Sequence, residues 1–185
     1  LTGATLNNAD LTNADLTGAT LNNADLTNAT LTGAKTHTIL STSTVTLPTN
    51  YSISWYKSIP NSTYAIFGPG VDLSGASFTT VYLIETYPRF GEGDFPNHQY
   101  FTNINFTNVT FSSPDFEGYN LTGSNFTGAN LSGANLTNAD LTDTNLTNAD
   151  LTGATLTGTK THAILSTSNV TLPANYRASW YKSNP

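Results

Sequence analysis

The stretch from Phe126 to Leu156 reads FTGAN LSGAN LTNAD LTDTN LTNAD LTGAT L, and its period decides the fold. Leu or Phe stands at every fifth position without a break from Phe101 to Leu156. Two residues earlier lies a small residue, as at Ala129, Ala134, Ala139 and Ala149. Asn, Asp, Thr, Ser and Gly fill the rest. A period of five is neither the 3.6 of a helix nor the 2 of a strand. It fits a chain that turns about a quarter circle every five residues, pointing one large and one small side chain inward from each side. Ala fills the small slot because the interior is too narrow for two large residues per side.

The same period runs through Leu1, Leu6, Leu11, Leu16, Leu21, Leu26 and Leu31, and returns at Leu73 and Phe78. The stretches Ala-Asp-Leu-Thr-Asn-Ala-Asp-Leu at 9–16 and Ala-Asn-Leu-Thr-Asn-Ala-Asp-Leu at 134–141 resemble the pentapeptide-repeat family, whose motif reads Ala-(Asp/Asn)-Leu-x-x. The resemblance covers about two-thirds of the chain. It implies an all-β fold, a right-handed quadrilateral β-helix with four repeats, and so about 20 residues, per coil. Coils would stack at the inter-strand spacing of about 4.8 Å. Steps of 20 then give core columns in which Leu121, Phe126, Leu131, Leu136, Leu141, Leu146 and Leu151 face inward. Phe dominates the coil from 101 and Leu the later ones, so the interior is expected to change width or stacking along the axis. Ser124, Thr144 and Thr159 take inward slots where Ala is expected, and Ser124 and Thr144 read as stacked hydroxyls bonded to each other.

A second period is longer. Residues 31–60 recur at 156–185 with 23 of 30 positions identical, and 1–30 match 126–155 at 20 of 30. The offset of 125 is a multiple of five, so the coil phase is expected to be preserved. The organisation read from this is pentapeptide coils at 1–34, a strand-like aromatic insert at 35–72, and a short repeat stretch with an aromatic loop at 73–100. Coils resume at 101–159, and 160–185 is a second copy of the insert. Alternation of Thr or Ser with Ile39, Val45 and Leu47 predicts strand from Lys35 to about Pro48. The chain opens at Leu1 in mid-repeat, which reads as a piece of something longer.

Composition narrows the function. Net charge is −6, with only six Lys and Arg, so a basic stripe for nucleic acid is not available. Thr and Asn number 34 and 22, against 10% charged residues in all. Cys and Met are absent, which removes disulfides and thiolate metal sites and suits an exposed, oxidising setting. No apolar run approaches a membrane span, so no membrane insertion is expected.

Catalytic motifs are missing. His37 and His162 are one position in two copies, and His98 stands alone; no Cys, His-x-x-x-His or Gly-x-Ser-x-Gly accompanies them. The chain is read as no enzyme, with no cofactor. Glu92 and Asp94, with Gly91 and Gly93 beside them, are the candidate ligands for a hard cation such as calcium, but such a pair also reads as a solvated turn, and no metal site is expected. Asparagine glycosylation sequons outside the repeat register stand at Asn28, Asn50, Asn61, Asn108 and Asn169. The aromatics Tyr51, Trp55 and Tyr56, with their copies Tyr176, Trp180 and Tyr181, are the candidate interface, since Tyr and Trp are enriched at interfaces.

Three functions compete. Some members of the resembled family mimic DNA and bind topoisomerases. Stepping by 20, however, no repeat Asp stacks on another Asp, whereas a DNA mimic would accept that repulsion. Columns of Thr offer an ice- or glycan-binding surface as a minor alternative. The reading preferred here is a structural, self-assembling fibre or filament component, a head-to-tail homopolymer or tandem array, outside the cell or on a cell or virion surface.

Overall fold

Each five-residue repeat makes one tight turn. At Leu131–Ala134 the N–H of Ala134 donates to the carbonyl of Leu131 at 3.0 Å, and Gly133 between them has φ of +69°. A turn with positive φ at its third residue wants Gly, or Asn, which tolerates the left-handed region. Asn13, Asn103, Asn138 and Asn148 hold this slot with φ between 57° and 59°. The alternation of Asn and Gly two residues after each Leu is therefore a turn requirement.

A computed structural model describes residues 1–40, 44–49, 51–57, 62–78, 101–111, 113–165 and 167–176. No α-helix occurs among them. The repeats stack in parallel at intervals of 20: Asn120 bridges Asp140, Asn125 bridges Asn145, Asn130 bridges Asp150 and Asn135 bridges Thr155. Four columns of bridges result, and four repeats make one coil. Backbone bonds tie each repeat to its neighbours: Asn130 N–H to the Val109 carbonyl at 2.8 Å, Leu131 N–H to that of Asp150 at 2.7 Å, and Gly133 N–H to that of Thr152 at 2.8 Å. The coil thus satisfies backbone groups that burial would otherwise leave costly.

The core lies inside the columns. Leu121, Phe126, Leu131, Leu136, Leu141, Leu146 and Leu151 are at most 1% exposed. Burying each such side chain contributes about 1.5–3 kcal/mol. Phe106 stacks on Phe126 with ring centroids 4.8 Å apart and planes 15° from parallel, matching the coil spacing. In the coil from 101 to 120 the small slots hold Ile104, Val109 and Tyr119, all buried. Tyr119 meets Phe101 edge-on at 4.9 Å and Phe116 at 5.9 Å. Here the interior accepts two large residues per side, the expected change along the axis.

Ser124 and Thr144 are buried, but they do not bond each other. The Ser124 hydroxyl donates to the Phe101 carbonyl at 2.9 Å and accepts from the Ile104 N–H at 3.1 Å. Thr144 donates to the Leu141 carbonyl at 2.7 Å, within its own turn, and Thr159 to that of Leu136 at 2.7 Å. Backbone carbonyls, each with a spare lone pair, take these hydroxyl donors instead.

The strand expected between Lys35 and Pro48 does not form among the described residues. The chain instead continues the coil: Leu40 N–H donates to the Ala19 carbonyl at 2.8 Å, and Thr46 bridges Asp25. Polar–apolar alternation fits coil slots as well as strands, and the coil below supplies ready backbone partners. Strands form later. β1 (Ser52–Lys57) and β2 (Ser62–Phe67) make an antiparallel hairpin in which Trp55 is paired with Tyr64. The short strands β3 (Ser77–Phe78) and β4 (Thr110–Phe111) pair in parallel. β2 leads back into the core, where Ala65, Ile66 and Phe67 are buried.

The two copies keep their pairing. Thr5–Asp25–Thr46 recurs as Asn130–Asp150–Thr171, and Asp15–Lys35 as Asp140–Lys160. The side they occupy is not kept. One column runs Asp15–Lys35–Asp72–Asn105–Asn125–Asn145, five coils. Asp140, the equivalent of Asp15, stands one repeat before Asn145, so the unit advances four and three-quarter coils. The circuits from Lys35 to Asp72 and from Asp72 to Asn105 take 37 and 33 residues instead of 20. Each of those circuits returns to the same column, so it adds length without adding turn; the three repeats from Asn125 to Asp140 leave the second copy one side round.

Candidate interaction surfaces

The described acidic side chains face outward, yet most are occupied locally. In each repeat the Asp or Asn oxygen accepts the N–H two residues on, as from Thr12 to Asp10 at 3.0 Å and from Thr127 to Asn125 at 3.1 Å. The Thr hydroxyl adds a second bond, as from Thr127 to Asn125 at 2.7 Å. These bonds, the hydroxyl first and the N–H second, hold the carboxyls of Asp10, Asp15 and Asp25 below their ordinary range. Asn and Asp are interchangeable in this role, so the slot is chosen for its oxygen rather than its charge.

Along the columns acids are kept apart. Asp15 bridges Lys35, Lys35 bridges Asp72, and Asp72 bridges Asn105; no Asp bridges another among the described residues. Lys160 sits 3.2 Å from Asp140 Oδ2. Burial pushes the Asp140 carboxyl up, but bonds from Thr142 and Lys160 outweigh it and leave it lowered. Both side chains keep solvent contact, so the pair is worth little stability.

The hairpin is fastened at its base. The Tyr51 hydroxyl donates to the Pro69 carbonyl at 3.0 Å, and a β-carbon on Gly68 would fall inside its ring. Burial raises the Tyr51 hydroxyl above its usual pKa. Tyr51 therefore anchors the hairpin rather than standing clear of it. Tyr176 repeats the local turn: its N–H reaches the Pro173 carbonyl at 3.0 Å, as that of Tyr51 reaches Pro48 at 3.2 Å. Trp55 and Tyr56 lie on β1. Trp180, Tyr181, Glu92, Asp94, His98, Asn50 and Asn61 fall outside the described residues.

One residue that matters here escaped the sequence reading. Thr36 is fully buried, and its hydroxyl donates to the Ile66 carbonyl at 2.7 Å while its own carbonyl takes the Ile66 N–H at 2.9 Å. It fastens the returning strand to the coil. The signal was a polar residue where the five-residue period calls for Leu, five after Leu31.

The remaining candidates are dispersed. His37 is half-buried, with Nδ1 2.8 Å from Thr38 Oγ1. Burial pulls its pKa down, against Asp72 and Asp15, which push it up. His162 is exposed, with Nε2 3.2 Å from Thr142 Oγ1. Asn28, Asn108 and Asn169 are exposed at left-handed turns. The Asn169 amide donates to Asn148 at 3.1 Å, and that of Asn28 to Asn8 at 3.4 Å. No group of three His, Cys, Asp or Glu able to hold a metal occurs among the described residues, and no described helix is long and apolar enough to cross a membrane.

A family model of pentapeptide repeats matches eight copies over residues 1–34 and, overlapping, 97–128 and 120–158, just over half of the chain. The chain belongs to the pentapeptide-repeat family. Solved structures of other pentapeptide-repeat proteins align with it. One, from the Arabidopsis thaliana thylakoid lumen, is 28% identical over 54% of this chain, with a TM-score of 0.41; the chain spans 59% of its length. HetL of Nostoc, involved in heterocyst differentiation regulation, is 22% identical over 92% of this chain and 56% of its own, at 0.22. The plasmid-mediated fluoroquinolone resistance protein QnrB1 is 13% identical over 97% of this chain and 87% of its own, at 0.38. No curated protein sequence matches significantly. Fold alone does not select a function.

Proposed function

We propose that this pentapeptide-repeat chain is a non-catalytic structural element of a fibre, a right-handed quadrilateral β-helix whose 125-residue units run along one axis. The observation that carries this reading is the recurrence of Thr5–Asp25–Thr46 as Asn130–Asp150–Thr171. Each unit repeats the pairing of the last, so added units lengthen the rod without a new fold. An extracellular, cell-surface or virion-surface place suits the low charge and the absence of Cys and Met. Tyr51, Trp55 and Tyr56, with their copies Tyr176, Trp180 and Tyr181, serve as side contacts between rods. Electron micrographs of chains with added units test the reading. Straight rods are expected, with bundles that disperse when Trp55 and Trp180 are both changed to Ala. Compact particles at every length would contradict it.

A topoisomerase-binding role is the second reading, favoured by the excess of 12 acidic over six basic residues and by the family shared with QnrB1. Against it stand the spacing of acids along the columns and their local use as turn acceptors. Inhibition or protection of a type II topoisomerase at micromolar concentration, weakening with salt, would establish that role instead.

A further inference from the structure

The repeated sequence lets one copy report what the other lacks. Phe126, Leu131 and Leu136 are fully buried, whereas their equivalents differ: Leu1 is 52% exposed, and Leu6 and Leu11 are only partly buried. The coil beneath 126–145 accounts for this. It comprises Phe106–Asn125, whose Val109, Pro114 and Tyr119 carbonyls take the N–H groups of Asn130, Asn135 and Asp140 at 2.8, 2.9 and 2.8 Å. The N–H groups of Phe111, Phe116 and Leu121 bond in return to the carbonyls of Asn130, Asn135 and Asp140. The equivalent N–H groups of Thr5, Asp10 and Asp15 meet no coil among the described residues. Gly3 agrees: a β-carbon there would meet nothing, while at Gly128, its equivalent, that place is filled by Asn108.

The other end has the same requirement. The coil 31–46 is overlaid by the returning insert, through Gly33 N–H to the Gly70 carbonyl at 2.6 Å and Asp72 N–H to that of Ala34 at 2.8 Å. Its copy, 156–171, carries Ile164 only partly buried, where Ile39 is fully buried. The coils equivalent to both outer ones are thus covered by something contained in 61–125.

We infer that the coil Leu1–Thr20 is one half of a joint whose other half is a coil of the Phe106–Asn125 kind, so that units mate end to end only where a 125-residue period is complete. That coil belongs to another unit of this same sequence, whether it arrives on the same polypeptide or on a second copy. The inference rests on the rod reading above. Mating through this joint places successive hairpins one side round from each other, and a head-to-tail contact that does not close gives an open filament.

The test compares the 185-residue chain with the same chain lengthened by a copy of residues 61–125, which ends in an uncovered coil of the required kind. Analytical ultracentrifugation across a concentration series is the readout, with circular dichroism to confirm that both are folded. The lengthened chain should polymerise and the 185-residue chain should not. In the lengthened chain Thr5→Pro removes a donor at the joint without taking a backbone bond from the isolated molecule. It should raise the concentration needed for polymerisation about tenfold, the loss of roughly one hydrogen bond. Equal polymerisation of both chains would overturn the joint while leaving the rod reading intact. Monomers in both cases, or indifference to Thr5→Pro, would also overturn it, whereas the rod reading falls only if added units fail to lengthen the particle.

Discussion

Residues 1–47 and 126–172 are near-copies with identical bridges, yet they are not equally buried. Ile39 is inaccessible and Ile164 is not; Phe126 is inaccessible and Leu1 is half exposed. His37 is half-buried under the insert, and His162 lies open. The pairing is written into each repeat, whereas burial comes from whichever coil lies above or below. Stability in such a molecule is a sum of repeat and nearest-neighbour terms. Equivalent substitutions should therefore have unequal effects.

The largest inequality is expected at the core leucines. Leu131→Asp buries a carboxylate with no partner and should unfold the coil, while Leu6→Asp, at its half-covered equivalent, should leave the remaining coils folded. With Ala in place of Asp, Leu131 should lose about 2–5 kcal/mol and Leu6 clearly less. Chemical denaturation of the four variants checks this. Equal losses would mean that the copies share one cooperative environment.

Thr36 and Thr161 sharpen the contrast next. Thr36→Val leaves the Ile66 carbonyl without its hydroxyl donor and should cost about 1–3 kcal/mol, loosening β2; Thr161→Val should cost less. Hydrogen exchange at Ile66 would report the loosening directly. Gly68→Ala should cost a further 1–3 kcal/mol or so by forcing the Tyr51 ring off its seat. Near-UV circular dichroism, read against Tyr51→Phe, separates ring displacement from loss of the Pro69 bond.

Much of this was legible in sequence, for a physical reason. Leu and Ala at period five state which side chains go inward, so Leu121 to Leu151 were readable as core. The partners of inward hydroxyls were not, since Ser124 and Thr144 choose among carbonyls that only coordinates locate. The insert misled because Thr–Ile and Thr–Val alternation suits a coil side and a strand alike. The advance per unit was hidden because two circuits take 37 and 33 residues where 20 make a coil. For the interface, Tyr51 looked like an exposed aromatic, but Gly68 opposite it makes a seat.

The smallest expected effect is that of pH. Asp10, Asp15, Asp25 and Asp140 have lowered carboxyl pKa values in the fold. Their contribution is complete above the unfolded-state value near 3.9 and is lost as pH falls below it through the folded values. His37, pulled down by burial, adds a loss at higher pH, because the unfolded chain binds its proton from about pH 6.5 downward. Melting curves should be flat above pH 7, dip slightly toward pH 5, and fall further below 4. His37→Gln should remove the first step.

The central claim is that each unit extends one rod by a fixed number of coils. Small-angle scattering on chains lengthened by one, two and three 125-residue units tests it most directly. Four and three-quarter coils at the inter-strand spacing give roughly 23 Å per unit, with an unchanged cross-section. A length that grows by that step at constant cross-section is the result expected. A cross-section that grows with each unit while the length stalls would contradict the account.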